Sequence, residues 1–421
     1  MRSILLITYF WPPSGKATVH WPLFLSKYLK QYGWGTSVLT VEEDTFSARD
    51  ETLLKEVDPD TLFVKTKSND PFRLYKRFIG KKEDESLVAS ETISKANKNW
   101  RHKFAVWIRM NLFVPDARVG WIFSAPSGGE KIIHETNPSV IVTIGPPHSA
   151  HLIGLKLSKK YKIPFIPVLI DPWVDIAYYR GFKRSRLTLA IDNHLERSVM
   201  ESADRIIFVT NDTRNHYCLK YPDIEKKSFV CYWGYNEEYF QSVSKIPQDE
   251  EVILHAGNIF DFQNPVHFWE SVNKEIQNGR KLRLRFAGTV SPGIQQAIDN
   301  AGLTPYTEIL GFLPYSKVVQ EMVNASYLLV CATEKRHVPG KLFEYMRTGN
   351  RIIAFGDDNE EVAQLLQMTN SGKIFPYSYH CNDIFEQLAS ISPDPLLALQ
   401  FSREKIAEEF AGIIQQAIEK S

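Results

Sequence analysis

Residues 327–346 read Tyr327-Leu328-Leu329-Val330-Cys331-Ala332-Thr333-Glu334-Lys335-Arg336-His337-Val338-Pro339-Gly340-Lys341-Leu342-Phe343-Glu344-Tyr345-Met346. The apolar run 327–331 has the length of a buried strand, and the spacing after Pro339 predicts a helix over about 340–347. Pro339 and Gly340 bring the backbone close to a ligand, and the free N–H groups of a helix start suit a diphosphate. Lys341 adds a point charge. Glu344 lies one turn in, where a carboxylate can accept both hydroxyls of a ribose. The same residue also reads as a first-turn acid that complements the helix dipole.

The strand–loop–helix unit repeats along the chain. Strands are expected at Ile4–Tyr9, Thr36–Val41, 138–144, 164–170 and Arg205–Thr210, with helices at Thr18–Gln31, 149–161 and about 187–202. After the polar, proline-containing stretch Gln241–Glu251 the pattern restarts. Strands follow at Val252–Ala256, Leu282–Gly288, Glu308–Leu310, Tyr327–Cys331 and Arg351–Phe355, with helices between them. Near-continuous apolar strands alternating with helices mean buried parallel sheets. The fold class is therefore α/β, with one domain over 1–238, a second over 239–397, and a closing segment 398–421 with an amphipathic helix.

At 421 residues the chain is long enough for two domains. No run of about twenty apolar residues is present, so no membrane span is expected. The apolar N-terminus lacks a small-residue cleavage site and reads as a first strand, not a signal peptide. The four cysteines form no Cys-x-x-Cys, which points to a reducing compartment without structural zinc. Residues 1–240 carry 34 Lys+Arg against 27 Asp+Glu, and the remainder 50−34=16 against 49−27=22. The basic first half either faces an anionic surface or acceptor, or simply has a more basic solvated face.

Two basic stretches lie in the least regular part, 44–120. Residues 65–82 hold seven bases and one acid, Asp70. Residues 98–113, drawn as a helix, put Trp100, Phe104, Trp107, Ile108 and Leu112 on one face and Lys98, Arg101 and Arg109 off it. Such a face can lie in a membrane interface or pack on the protein's own core. Asp58-Pro59-Asp60 sits in a polar turn and is assigned no metal.

Three further loops follow strand ends, where parallel sheets bind ligands. Trp11-Pro12-Pro13-Ser14-Gly15-Lys16 enters a helix and suits a phosphate, or is an ordinary turn. Gly145-Pro146-Pro147-His148-Ser149-Ala150-His151 offers His148, Ser149 and His151 to sugar hydroxyls, or is a polar helix start. Asp171-Pro172-Trp173 offers a carboxylate to an acceptor hydroxyl and a ring to a sugar, or is a turn with a packed Trp.

Taken in order, these segments resemble glycosyltransferase family 4. The resemblance rests on Tyr9–Pro13 with Gly15, Pro115-Asp116-Ala117-Arg118-Val119-Gly120-Trp121, Gly145–Ser149, Asp171–Trp173, Leu195-Glu196 with Ala203-Asp204, Gly257-Asn258, and Pro339–Tyr345 with Gly349. It implies a GT-B fold, two Rossmann-like parallel-sheet domains facing a central cleft, and metal-independent, retaining transfer. The N-terminal domain would take the acceptor and the C-terminal domain the nucleotide sugar, with 398–421 crossing back. By position, Glu344 would bind the donor ribose; Lys341 and the backbone of 339–342, including Gly340 and Leu342, the diphosphate. Gly15 would sit against the diphosphate, Phe312 beside the base, and Asn258 within the donor set. His148 or Ser149 would stand near the transferred sugar, with Asp171 a further catalytic candidate. Two departures stand out. Arg336 occupies the position of the family's first paired glutamate, with Glu334 two residues before it. The loop 257–264 holds no base, so neutralisation falls to Lys341, Arg336, Lys335 and Lys16.

The implied function is transfer of a sugar from a nucleoside-diphosphate donor to a glycan or lipid-linked acceptor, in cell-surface polysaccharide biosynthesis. The nucleotide sugar is substrate and no cofactor is implied. The expected setting is cytoplasmic, on an anionic membrane surface through 65–82 and 98–113, with no nucleic-acid partner. The rival readings are a sugar-nucleotide epimerase of the same fold and a non-catalytic nucleotide-sugar-binding subunit.

Overall fold

The computed structural model describes residues 1–43, 46, 48–68, 100–176, 179 and 182–419. They form two compact units, Met1–Cys231 with Ala407–Ser421, and Tyr232–Ile406. The division falls ahead of the proline-containing stretch because Tyr235 and Phe240 pack into the second unit's core.

The first unit is built on seven parallel strands: β1 (Arg2–Thr8), β2 (Trp34–Val41), β3 (Leu62–Thr66), β4 (Val140–Gly145), β5 (Phe165–Leu169), β6 (Ile206–Phe208) and β7 (Ser228–Val230). Their order is β3-β2-β1-β4-β5-β6-β7. In β1 the consecutive residues Ile4 to Ile7 are all buried, as a central strand covered on both faces requires. The second unit has six parallel strands: β8 (Glu251–Ala256), β9 (Leu282–Ala287), β10 (Thr307–Ile309), β11 (Tyr327–Cys331), β12 (Arg351–Phe355) and β13 (Gly372–Phe375). Their order is β10-β9-β8-β11-β12-β13.

Strand order reverses between β1 and β4 in one unit, and between β8 and β11 in the other. Loops leaving neighbouring strands at such a reversal part to opposite sides and open a crevice at the carboxyl ends. The loops after β1 and β4 carry Gly15 and His148. The loops after β8 and β11 carry Asn258 and Arg336. The topology thus places each unit's candidate residues at its own switch point.

Three strands escape the sequence reading: β3, β7 and β13. All three are sheet edges. An edge strand is wetted along one side and needs no continuous apolar run; β3 alternates half-buried and exposed positions. The helix Trp121–Thr136 was also missed, because Pro126, Gly128 and Gly129 interrupt its pattern. Those glycines are its packing surface. A Cβ on Gly128 would lie 2.6 Å from Thr66 Cγ2, and one on Gly129 2.5 Å from Leu157 Cδ1.

The closing helix is Arg403–Glu419, and its part from Ala407 onward belongs to the first unit. Phe410 meets Trp21 edge-on at 5.8 Å, and the Gln416 carbonyl accepts from Arg205 Nη2 at 2.8 Å.

The helix Ser149–Tyr161 lies against β4 and β5 through Gly154, where a Cβ would come 2.3 Å from Thr143 Cγ2 and 2.8 Å from Phe165 Cε2. Gly154→Val is therefore expected to lower stability by about 1–3 kcal/mol in chemical denaturation. Unchanged stability would show that the contact is not close.

Candidate functional site

In the first unit, Asp116 builds the start of the helix Ser149–Tyr161. Its carboxylate accepts from Ser149 N at 2.8 Å, Ser149 Oγ at 2.9 Å and Arg118 N at 2.8 Å. Burial nonetheless raises the Asp116 carboxyl above its ordinary range. The Ser149 hydroxyl is committed to this cap. His148, one residue before it, is buried, and its ring nitrogens make no hydrogen bond of ordinary geometry, their nearest acceptor being the Pro172 carbonyl. Burial pushes its imidazole down to about 3, against a smaller opposing pull from the Pro172 carbonyl. It is a neutral base. His151 is also buried, with Nδ1 2.8 Å from Thr143 Oγ1.

The His148 ring stacks on Trp173 at 5.0 Å and 5°. Trp173 is 1% exposed, so it cannot offer a face to a sugar and is instead the floor under His148. The helix Arg186–Ser202 fixes that floor with two buried carboxylates one turn apart. Asp192 accepts from Trp173 Nε1 at 2.7 Å and pairs with Arg184. Glu196 accepts from Val174 N at 3.1 Å, Tyr217 Oη at 2.8 Å, Tyr221 Oη at 2.7 Å and Lys220 Nζ at 2.5 Å. Tyr217 Oη in turn accepts from Trp173 N at 2.8 Å. Asp171 lies two residues past β5, half-buried.

The loop after β1 differs from a free phosphate cradle. Gly15 N–H donates to the Ala48 carbonyl at 2.8 Å, and Ser14 bridges Arg49. The Gly15 amide is thus spoken for, and Lys16 beside it is half-buried. Asp58 and Asp60 both pair with Lys30, which accounts for that Asp-x-Asp as a surface turn.

In the second unit, the helix Lys341–Thr348 opens at Gly340 without a side-chain cap. A Cβ on Gly340 would lie 2.9 Å from Trp233 Cδ1, so only glycine admits this approach. Leu342 lies in the core and its N–H bonds the Pro339 carbonyl at 2.9 Å. It serves the fold, and offers a ligand neither side chain nor amide. Lys341 is half-buried, with Nζ 3.0 Å from His255 Nε2. Burial lowers its ammonium to about 8. Glu344 accepts from Tyr315 Oη at 2.5 Å. Burial raises its carboxyl, and Tyr315 opposes that rise. The phenol orients the carboxylate one turn above Lys341.

Arg336 is turned inward, 8% exposed, with Nη2 3.7 Å from Glu334 Oε1. The two residues offered as alternatives at this position face each other. Asn359 Nδ2 ties their loop by donating to the Glu334 and His337 carbonyls at 3.1 and 2.8 Å. Asn258 is exposed, and its Oδ1 accepts from Thr289 N at 3.0 Å. Beyond it, where bases are absent, the exposed rings of Phe260 and Phe262 stack at 5.7 Å and 12°. Phe312 is 95% exposed.

Comparison with solved structures matches the chain along its whole length. Sucrose-phosphate synthase from Thermosynechococcus elongatus superposes with a TM-score of 0.63 at 13% identity, over 100% of both chains. Anabaena HepE in complex with UDP and glucose gives 0.61 at 13%, over 99% of this chain and 100% of that one. The fold is GT-B. A putative UDP-N-acetylglucosamine 2-epimerase from Listeria monocytogenes gives 0.56 at 12%, over 100% and 97%. GT-B chains therefore include both transferases and an epimerase among these neighbours. No family model and no curated protein matches the sequence.

His255, Tyr315, Asp192 and Tyr217 were not singled out from sequence. His255 had a signal, a lone imidazole in the apolar run Val252–Ala256. Asp192 and Glu196, spaced i, i+4 on a helix, had another. Glu196→Ala would leave the O–H groups of Tyr217 and Tyr221 and the Val174 N–H without their acceptor; a loss of about 3 kcal/mol is expected in chemical denaturation. A loss under about 1 kcal/mol would mean that the network does not hold the Trp173 loop.

Proposed function

We propose that this chain is a glycosyltransferase of the family 4 kind. It would move a sugar from a nucleoside-diphosphate donor to a glycan or lipid-linked acceptor, with retention and without a metal, in cell-surface polysaccharide biosynthesis. One observation carries the reading: a half-buried lysine and an oriented carboxylate stand on one helix start, at the switch point of a parallel sheet. In that reading Lys341, with the Gly340 turn, neutralises the diphosphate. Glu344 takes the ribose hydroxyls beside its bond from Tyr315. Of the first unit's candidates, the neutral His148 is the one proposed to contact a sugar, since Ser149 is engaged with Asp116. Phe312 and Asn258 flank the nucleotide. The bound UDP and glucose of HepE support a nucleotide-sugar donor.

Glu344→Ala and Lys341→Ala are each expected to weaken donor binding roughly ten- to hundredfold in calorimetry, the scale of one charge-assisted hydrogen bond. Wild-type affinity in both variants would remove the site assignment. The epimerase among the fold neighbours keeps a second reading open to the same assay. Transfer predicts nucleoside diphosphate released only when acceptor is supplied. Epimerisation predicts interconversion of the donor sugar without acceptor, and a binding subunit predicts neither.

A peripheral position on an anionic membrane is part of the proposal. Among the described residues no helix is long and apolar enough to cross a membrane. The helix Trp100–Leu112 exposes Phe104, Trp107 and Leu112, while Val106 and Met110 face inward. Asn111 ties it to the start of the helix Arg186–Ser202, accepting from Ser185 N at 2.6 Å. Leu187 and Ile191 of that helix are exposed as well. Most of the basic stretch 65–82 lies outside the described residues. The chain is expected to sediment with anionic vesicles at low salt, and Phe104→Ser with Trp107→Ser to reduce this several-fold. No sedimentation of the wild type would dismiss the membrane.

A further inference from the structure

Strand β8 buries a histidine among apolar neighbours, and His255 is 1% exposed. Its Nδ1 lies 2.9 Å from the Leu329 carbonyl, which can only accept, so Nδ1 carries the hydrogen. Nε2 then presents a lone pair, and the Lys341 ammonium lies 3.0 Å from it. The lysine reaches this point past Gly257, where a Cβ would stand 3.0 Å from Nζ. Gly257 has φ +100°, a conformation that disfavours any replacement.

We propose that His255 is a positioning residue of the donor site, accepting a hydrogen bond from the Lys341 ammonium and holding it at its helix start for a nucleoside diphosphate. The proposal rests on the donor-site reading above. Four titratable groups act on Lys341: His255 from β8, Cys331 at the end of β11, His337 from the loop, and Glu344 from its own helix. Burial keeps both imidazoles neutral and pushes the Cys331 thiol up. Glu344 is thus the one carboxylate of this set, and it is engaged by Tyr315. The lysine's hydrogen-bond partner is an uncharged ring.

Burial lowers the ligand-free ammonium to about 8, against the smaller pull of Glu344 and Cys331. Below that pH Lys341 is already charged; above it, most molecules must gain a proton before the diphosphate meets a cation. A bound diphosphate raises the value again, so affinity falls as pH rises through the window above about 8. The loop after β8 lacks bases, and His255 supplies a hold on Lys341.

The test is calorimetric titration of the full chain with UDP, and GDP beside it, from pH 7 to pH 9.5 in two buffers of different ionisation heat. Above about pH 7 the terminal phosphate, with its second ionisation near ~6, is charged throughout. Wild-type affinity is expected to fall on the order of tenfold across the upper half of the range, with proton uptake. Lys341→Arg should bind with a flat profile, because guanidinium stays charged. His255→Phe should lose roughly tenfold at pH 7.5 and begin its fall at lower pH, and His255→Gln should recover part of both. A histidine that merely fills space would leave the profile unmoved. A pH-independent wild type, or an unchanged profile in His255→Phe, overturns the proposal while leaving the donor site standing. Should His255→Phe not fold, the wild-type and Lys341→Arg profiles decide. If neither nucleotide binds the wild type, the donor-site reading fails and this inference with it.

Discussion

A lysine ammonium held against a neutral imidazole, at the start of a helix, organises the second unit around the carboxyl ends of β8 and β11. The surrounding bonds serve that meeting. Tyr345 Oη accepts from Ala256 N at 2.7 Å, and so locks the Lys341 helix onto the end of β8. Gln263 Nε2 donates to the Cys331 carbonyl at 2.7 Å and draws the loop after β8 onto the end of β11. Gly257 leaves the space through which the lysine passes. A cation in this position gains little from the protein itself, since burial disfavours its charge and its partner is neutral. An anion arriving there supplies the missing interaction, which is the electrostatic logic of a phosphate site.

The first unit solves a different problem. It must keep a neutral histidine uncommitted at a strand end. Trp173 supports the ring from one side, and the helix Arg186–Ser202 supports Trp173 through Asp192 and Glu196. Asp116 meanwhile satisfies the helix start at Ser149, so that His148 need not serve as a cap. Buried carboxylates are costly unless every lone pair is used, and Glu196 accepts four hydrogen bonds. Its role is to hold geometry.

Much of this was legible in the chain. The nine central strands were readable because burial on both faces of a parallel sheet demands unbroken apolar runs, as in Ile4–Ile7 and Tyr327–Cys331, and the edge strand β10 was read beside them. The edge strands β3, β7 and β13 were not, because one wet side frees them of that demand. The helix Trp121–Thr136 hid behind glycines that exist for contact, not for propensity. At the candidate site, Lys341, Glu344 and His148 announced themselves by residue type at a strand end. What stayed hidden was commitment. Sequence does not reveal that Gly15 N–H is taken by Ala48, that Leu342 serves the core, that Trp173 is a floor, or that Arg336 folds onto Glu334. Each depends on a partner distant in the chain or on the path of a loop.

The account rests on the helix start at Lys341 being where a nucleoside diphosphate binds. The most direct measurement is a crystal structure of the chain with UDP. The account predicts the diphosphate within about 3 Å of Lys341 Nζ, at hydrogen-bond distance, and the ribose hydroxyls on Glu344. UDP seated elsewhere, with Lys341 still turned to His255 and Glu344 still bonded only to Tyr315, would contradict it.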